Sequence, residues 1–139
     1  MAKRTESTAT APPCCPCGSG KAYDLCCGVL HGGQAAPHAE ALMRARYSAY
    51  VLNLADYLLA SWHPDTRPMK ADFNLHETTG TPPLKWLGLE VKRHVIQDDT
   101  HATVEFVARC KRSGRAERLH EISRFVREDG HWYYRDAET

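Results

Sequence analysis

Five of the six cysteines in this chain lie between Cys14 and Cys27, and this cluster constrains the fold more than any other feature. Cys15 and Cys17 form a Cys-x-Cys pair, and after eight residues the adjacent Cys26 and Cys27 follow. The segment is too short to bury a core of its own, and four thiolates suit a tetrahedral zinc ion. The pattern therefore predicts a structural zinc site held by Cys15, Cys17, Cys26 and Cys27.

The residues between the two pairs favour a tight wrap around a metal ion. Pro16 restricts φ between the first two ligands, and Gly18 and Gly20 allow sharp turns that bring amide hydrogens towards the thiolates. Residues 25–28 predict a short helical turn that ends at Gly28. We therefore predict a zinc knuckle over residues 14–28.

Other chemistries fit the cluster less well. Redox Cys-x-x-Cys pairs sit at a helix start inside a βαβ unit, whereas a tail rich in Thr, Ala and Pro precedes Cys14. Disulfides are typical of secreted proteins, and we expect no signal peptide here. A phosphate-binding loop would need glycine and a hydroxyl residue where the chain has Cys15 and Ala22. His31 and His38 are alternative metal ligands, but four better-spaced thiolates already complete a tetrahedral shell.

The segment from Cys15 to Tyr23, followed by Cys26 and Cys27, resembles the SEC-C zinc motif found at the end of the bacterial preprotein translocase ATPase. The resemblance implies zinc ligation by the same four cysteines and leaves Cys14 as an extra thiol. In the translocase the motif takes part in contacts with a chaperone and the ribosome, so a protein or ribosomal partner is implied here. Ala22 and Asp24 stand where the motif often has lysine.

Composition and charge indicate an ordinary soluble protein. The chain has 139 residues, of which 42% are hydrophobic and 25% charged, so one compact domain can accompany the knuckle. A formal net charge of +1 gives no strong signal for nucleic acid or an anionic membrane. No apolar run approaches the roughly 18 residues that span a bilayer. We expect a cytoplasmic protein.

Changes in composition divide the chain into four parts. Residues 1–13 lack apolar periodicity and are predicted to be disordered. Residues 29–37 contain two adjacent glycines and are predicted to be a linker between the knuckle and a domain over residues 38–136. Few apolar side chains before His38 are available for burial, so we expect the knuckle and the domain to be separable in stability.

The first part of that domain has helical periodicity. Apolar residues recur at helical spacing from Ala39 to Leu54, after Pro37, and predict an amphipathic helix. Asn53 is predicted to cap a second helix that Pro64 ends, with Asp56 in capping-box position. A short helix is also allowed at residues 70–75.

The rest of the domain alternates with period two. The predicted inward-facing residues are Leu87, Leu89, Val91 and Val95 in one strand and Val104, Phe106, Ala108 and Cys110 in the next. Two more strands, at residues 117–127 and 131–135, are joined by Asp129-Gly130, a strong hairpin signal. Helices followed by a four-stranded antiparallel meander define an α+β fold.

Several segments of this domain resemble the bacterial YchJ-like family. They are Arg46-Tyr47-Ser48-Ala49-Tyr50-Val51, Ala55-Asp56-Tyr57-Leu58, Ser61-Trp62-His63-Pro64, Trp86-Leu87-Gly88-Leu89 and the stretch from Ser123 to Tyr134. The resemblance implies a cone-shaped domain of the nuclear-transport-factor-2-like type, in which a curved sheet wraps helices around a concave pocket.

Four residues are candidates for lining such a pocket: Trp62, His63, Glu121 and Phe125. An acid and an imidazole in the cone could act in isomerase, hydratase or hydrolase chemistry. The alternative interpretation is structural, with His63 at a helix end, Trp62 in the core and Glu121 paired across the sheet with Arg109 or Arg124.

Two classes of function remain open. In the first, the chain is a zinc-binding adaptor whose knuckle contacts a macromolecular partner and whose cone holds a ligand or a partner. In the second, the cone is the active site of a small-molecule enzyme. A saturated shell of four cysteines leaves zinc no open position for water, so the residues favour the first class, without catalysis.

Overall fold

The computed structural model describes residues 14–70, 73 and 85–138. The predicted disordered tail, residues 1–13, lies outside the described residues, and so does most of the short helix allowed at residues 70–75. The observed elements are three α-helices and a four-stranded antiparallel sheet, which confirms the predicted α+β class. No described helix combines the length and the apolar character needed to cross a membrane.

The three helices come first in the chain. They are α1 (Cys27–His31), α2 (Ala39–Leu52) and α3 (Ala55–Ala60), and a single 3-10 turn, Tyr23–Leu25, precedes them. Helix α2 begins at His38, whose ring nitrogen Nδ1 accepts a hydrogen bond of 3.1 Å from the Ala41 amide. It ends at Asn53, which adopts the left-handed conformation with φ of 61°.

Two helix boundaries differ from the prediction. Asn53 ends α2 and does not cap α3, because its left-handed backbone closes the preceding helix. Leu54 occupies the N-cap position of α3 without a side-chain cap. Helix α3 also stops at Ala60 instead of continuing to Pro64, because residues 61–63 leave the helix to meet the sheet. The amide of His63 donates to the Tyr134 carbonyl at 2.7 Å, and the amide of Tyr134 donates to the Ser61 carbonyl at 2.8 Å.

The sheet is a simple meander in the order β1-β2-β3-β4. Its strands are β1 (Lys85–Ile96), β2 (His101–Arg112), β3 (Arg115–Glu128) and β4 (His131–Glu138). Both residues of the predicted turn Asp129-Gly130 have positive φ, as a two-residue hairpin of the primed type requires. Ser113 and Gly114 form a second turn with positive φ that the sequence analysis missed.

Strand β2 has the predicted inward face, whereas β1 does not. Val104, Phe106, Ala108 and Cys110 are buried, which confirms the prediction for β2. In β1 the pairing register shifts between Trp86 and Gly88 and again between Val91 and Arg93. Each shift moves the following side chains to the other face. Leu87 is therefore 49% exposed and Val95 is exposed as well, so the prediction that both face inward is wrong.

The core connects the knuckle, α2 and the sheet. Cys15, Cys17, Cys27 and Leu30 belong to the same buried apolar cluster as Leu42 and Phe106. The expectation that few side chains before His38 bury against the following domain is therefore wrong. Helix α1 also occupies residues 29–31 of the predicted linker. The division of the chain at residues 28 and 38 stays a prediction about folding units.

Candidate functional site

The four cysteines of the predicted zinc site converge. The sulfur atoms of Cys15, Cys17, Cys26 and Cys27 all lie within 4.8 Å of one another. Three of these side chains are buried and Cys26 is partly buried. Cys14 is exposed and does not belong to the cluster. Four sulfurs at this separation surround a space that suits one tetrahedral metal ion.

Local backbone geometry brings the two cysteine pairs together. The Cys15 amide donates to the Lys21 carbonyl at 2.8 Å, and the Gly18 amide donates to the Cys15 carbonyl at 3.2 Å. Gly18 and Gly20 have φ of 81° and 86°, so the predicted sharp turns require glycine at both positions.

Gly28 acts by close packing and not by ending a helix. Helix α1 continues through Gly28 to His31, so the predicted stop at Gly28 is wrong. A Cβ atom on Gly28 would lie 2.7 Å from the Tyr23 carbonyl oxygen and 3.0 Å from the Tyr23 ring. Glycine therefore lets the 3-10 turn pack directly on α1, which carries Cys27 at its start.

Two serine hydroxyls contact the sulfur cluster. Ser48, buried on α2, lies 3.5 Å from Cys15 through Oγ and Sγ. Ser19 lies 3.1 Å from the sulfur of Cys26. Hydroxyl donors of this kind orient metal-binding thiolates and disperse their negative charge. Ser48 was missed because a serine in an amphipathic helix carries no sequence signal for a metal site 33 residues away.

Arg44 also joins α2 to the knuckle. Its Nη1 donates a 2.9 Å hydrogen bond to the Cys17 carbonyl, while its Nε contacts Glu40 at 3.1 Å. Burial lowers the pKa of the guanidinium, but its contacts with Glu40 and Cys17 raise that pKa overall. A cation therefore lies beside a cluster that is formally anionic with zinc bound. Lys21, the basic residue within the knuckle itself, is exposed.

The protonation of the cluster is uneven. A hydrogen bond from Cys27 lowers the pKa of the Cys17 thiol to about 4. The same hydrogen bond, together with burial, raises the pKa of Cys27. The thiols of Cys17 and Cys27 therefore titrate as one coupled pair that shares a proton. A zinc ion would replace that shared proton, and the donor set of four sulfurs fits it.

The two histidines considered as alternative ligands have other partners. His31 lies between the Tyr23 hydroxyl, at 2.6 Å from Nδ1, and the Ala45 carbonyl, at 2.8 Å from Nε2. His38 caps α2. Neither belongs to the sulfur cluster.

A second candidate site is a cavity of ≈ 370 Å³ between α2 and the inner face of the sheet. Six aromatic side chains contribute to its wall, and one arginine and two glutamates supply its charges. The lining includes Arg46, Trp62, Trp86, Glu117, Leu119, Glu121 and Tyr134.

The four predicted pocket residues do not all reach this cavity. Trp62 and Glu121 line it. His63 is buried outside it, where its Nε2 lies 2.7 Å from a carboxylate oxygen of Glu128. Phe125 belongs to the apolar core and is not part of the lining. The acid and the imidazole considered for catalysis therefore do not face the same cavity.

Glu121 has a different partner from the arginines predicted for it. Its carboxylate accepts a 2.9 Å hydrogen bond from the Ser123 hydroxyl. Arg124 pairs with Asp136 at 2.6 Å, and Arg109 lies 3.8 Å from Glu90. The predicted pairing of Glu121 with Arg109 or Arg124 is wrong, because Glu121 points to the inner face of the sheet and both arginines are exposed.

Arg46 is the cavity residue that the sequence analysis missed. Its Nη1 donates to the Leu58 carbonyl at 2.8 Å and contacts the Ser61 hydroxyl at 2.7 Å. Its guanidinium carbon lies 4.4 Å from the ring centre of Tyr134 and 5.2 Å from that of Trp62. These contacts hold the guanidinium cation beside two aromatic rings. An arginine in an amphipathic helix is usually solvated, so its helical position did not indicate that Arg46 is buried.

Comparison with known proteins identifies the class of this fold and site. Residues 38–137 match the family described as YchJ, middle NTF2-like domain. The fold is therefore α+β with an N-terminal cysteine cluster and an NTF2-like domain. The chain belongs to the YchJ family, as its sequence resemblance predicted.

Curated relatives and solved structures agree with this assignment. A UPF0225 protein of Bordetella parapertussis is 54% identical over 132 residues, covering 93% of this chain and 95% of the relative. A solution structure of a SEC-C motif containing protein from Rhodopseudomonas palustris has a TM-score of 0.77 at 37% identity, covering 90% of this chain and 97% of that one. A SEC-C motif containing protein from Psychrobacter arcticus has a TM-score of 0.70 at 28% identity, covering 90% of this chain and 82% of that one.

Proposed function

We propose that the chain is a zinc-binding adaptor, in which a structural zinc knuckle is attached to a ligand-holding cone. The observation that carries the zinc assignment is the convergence of four cysteine sulfurs within 4.8 Å of one another. Four thiolates saturate tetrahedral zinc and leave no position for a reactive water, so the ion has a structural role. The six free cysteines fit the reducing cytoplasm, where we propose that the protein acts.

We place the contact with the macromolecular partner on the outer surface of the knuckle. Leu25, at the end of the 3-10 turn, is 74% exposed and lies next to Cys26 in the chain. A large apolar side chain held on a metal-stabilised turn suits contact with a protein or ribosomal partner. The cone supplies the second half of the proposal, because its cavity falls in the size range of small-ligand pockets.

Metal analysis tests the zinc site. Protein purified without chelator is expected to contain one zinc ion per chain, and Cys26→Ser is expected to lose it. Cys14→Ser is the matched control, because Cys14 is exposed and outside the sulfur cluster, and it should keep the full zinc content. Zinc near zero in the unmodified protein, or full zinc in Cys26→Ser, would overturn the assignment.

Leu25→Ser tests the partner surface without touching the metal ligands. We expect it to keep zinc and the melting temperature, and to lose a protein or ribosomal partner that the unmodified chain retains from native lysate. Leu87→Ser is the control, because Leu87 is an exposed leucine on the sheet that does not line the cone cavity. Equal recovery of the partner with Leu25→Ser would contradict the proposed contact surface.

A further inference from the structure

The cone cavity contains a buried cation that has no anionic partner in contact. Arg46 is only 4% exposed, and the groups that receive its hydrogen bonds are a carbonyl and a hydroxyl. Among the described residues, no carboxylate forms an ion pair with it within 4.0 Å. Glu121, on the wall of the same cavity, attracts the guanidinium without contacting it. A cation buried without a counter-charge in contact favours a negative group in the adjoining cavity.

Two further donors on the cavity wall have no partner among the described residues. The indole nitrogens of Trp62 and Trp86 are buried and form no hydrogen bond within this part of the chain. Both tryptophans line the cavity together with Arg46. Unsatisfied buried donors are uncommon in native proteins and cost free energy until an acceptor reaches them. Three side chains that can only donate therefore border one cavity.

The acidic residues of the cavity wall shape what can enter. Glu121 lines the wall from β3 without forming an ion pair with Arg46. Glu117 and the 45% exposed Leu119 also line the cavity, so its wall reaches solvent at these residues. A ligand can enter past this rim and place an acceptor towards Arg46. The remaining wall is largely apolar or aromatic, with Tyr47, Tyr50, Phe106 and Tyr134 supplying rings, and it favours a flat apolar body.

We infer that the cone cavity binds a small aromatic carboxylate, with its carboxylate against Arg46 and the indole donors of Trp62 and Trp86. Charge-assisted hydrogen bonds from guanidinium and N–H groups to a carboxylate are the strongest that this donor set can form. This inference rests on the proposed role of the cone as a ligand holder, and it is independent of the zinc proposal.

The tryptophan side chains report binding directly. The chain has three tryptophans, of which Trp62 and Trp86 line the cavity while Trp132 lies outside it. In the full-length, zinc-loaded protein labelled with ¹⁵N, each indole N–H gives its own signal. We expect 1-naphthylacetate to shift the Trp62 and Trp86 signals saturably and to leave the Trp132 signal in place.

A neutral probe separates charge recognition from apolar burial. The amide 1-naphthylacetamide has nearly the same shape as 1-naphthylacetate and lacks the negative charge. It is expected to bind about tenfold more weakly, because it loses the charge-assisted bonds.

Variants with opposite expected effects sharpen the test. Glu121→Gln removes a like charge from the cavity and should bind 1-naphthylacetate more tightly. Trp86→Phe removes one donor and should bind it more weakly, whereas Trp132→Phe, the matched control outside the cavity, should leave binding unchanged. Arg46→Gln should lose the preference for the acid over the amide. If Arg46→Gln does not fold, the first two variants decide the question.

Each outcome has a distinct meaning. Equal binding of the acid and the amide would overturn the carboxylate assignment and leave the cone as a ligand site. Shifts of the Trp132 signal of the same size would show non-specific binding and would overturn the inference too. No saturable shift with either probe would overturn both the inference and the ligand-holding role of the cone. The zinc content measured on the same sample tests the zinc proposal separately.

Discussion

At the scale of residues, the sulfur cluster depends on side chains that the cysteine pattern does not contain. Ser48 and Arg44 lie on α2, one beside the sulfur of Cys15 and the other on the carbonyl of Cys17. Ser19 lies within the knuckle and contacts Cys26. The sulfur cluster is therefore completed by a helix from the following domain.

Ser48→Ala is expected to weaken zinc binding about tenfold, since outer contacts to metal ligands commonly have effects of this size. The buried hydroxyl has no water to replace it. Ser19→Ala is the matched control, because Ser19 is partly exposed and water can take the place of its hydroxyl. Competition with a chromophoric chelator measures both affinities. An equal loss in the two variants would contradict the role assigned to burial.

The roles of residues whose type indicates a chemistry, such as clustered cysteines, could be predicted from the sequence. The roles of residues that depend on their three-dimensional surroundings could not. The four cysteines were assigned from spacing alone because thiols cluster for few reasons. Arg46 and Ser48 have ordinary positions in an amphipathic helix, and their burial follows from contacts with α3 and the knuckle. Glu121 was one of the candidates for lining the pocket and does line the cavity, although its expected arginine partners were wrong.

At the scale of elements, the hairpin turns differ in how well their residues fit. Asp129-Gly130 and Ser113-Gly114 both have positive φ at two successive residues. Asp tolerates the left-handed region, whereas Ser pays more conformational strain there. The β2–β3 turn is therefore the weaker of the two in local sequence preference.

Ser113→Asn is expected to stabilise the protein by about 0.5 kcal/mol, because asparagine followed by glycine is the preferred pair in this turn. Chemical denaturation measures the change. The matched control is Asp129→Asn, where one residue already suited to the turn replaces another and little change is expected. No gain from Ser113→Asn, with zinc content unchanged, would argue against local strain at this turn.

Element types and the Asp129-Gly130 turn were predictable because they follow from local patterns. The Ser113-Gly114 turn and the details of β1 were not. Its two register shifts depend on pairing with β2, which period-two counting cannot detect. The same limitation applies to Asn53, a residue that serves equally well as an N-cap or in a left-handed C-cap. Asn53 is the C-cap of α2 and not the N-cap of α3 because the connection between the two helices is short and Leu54 occupies the N-cap position.

At the scale of the whole molecule, the knuckle and the cone share a core. Cys15, Cys17, Cys27 and Leu30 pack in one cluster with residues of α2 and the sheet. The opposite wall of α2 borders the cone cavity through Met43, Arg46 and Tyr47. One helix thus contacts the proposed zinc site and the proposed ligand site.

This shared helix predicts how zinc removal should spread. Without the metal, the buried sulfurs of the knuckle lose the bonds that hold them together, and the packing of α2 against them should loosen. We therefore expect chelation to lower the melting temperature of the entire chain and to shift the methyl signals of Leu42 and Met43, both buried on α2. The turn at Ser113-Gly114 is the internal control, because it lies at the far end of the β2–β3 hairpin.

Added zinc should restore the original spectrum and melting temperature, which separates metal loss from damage by oxidation. Arg44→Met, which removes the hydrogen bond to the Cys17 carbonyl, should keep zinc but reduce the effect of chelation on α2. Signals of α2 that stay unchanged on complete zinc removal would contradict the shared core. They would support instead the expectation, drawn from the glycines of residues 29–37, that the knuckle and the cone fold separately.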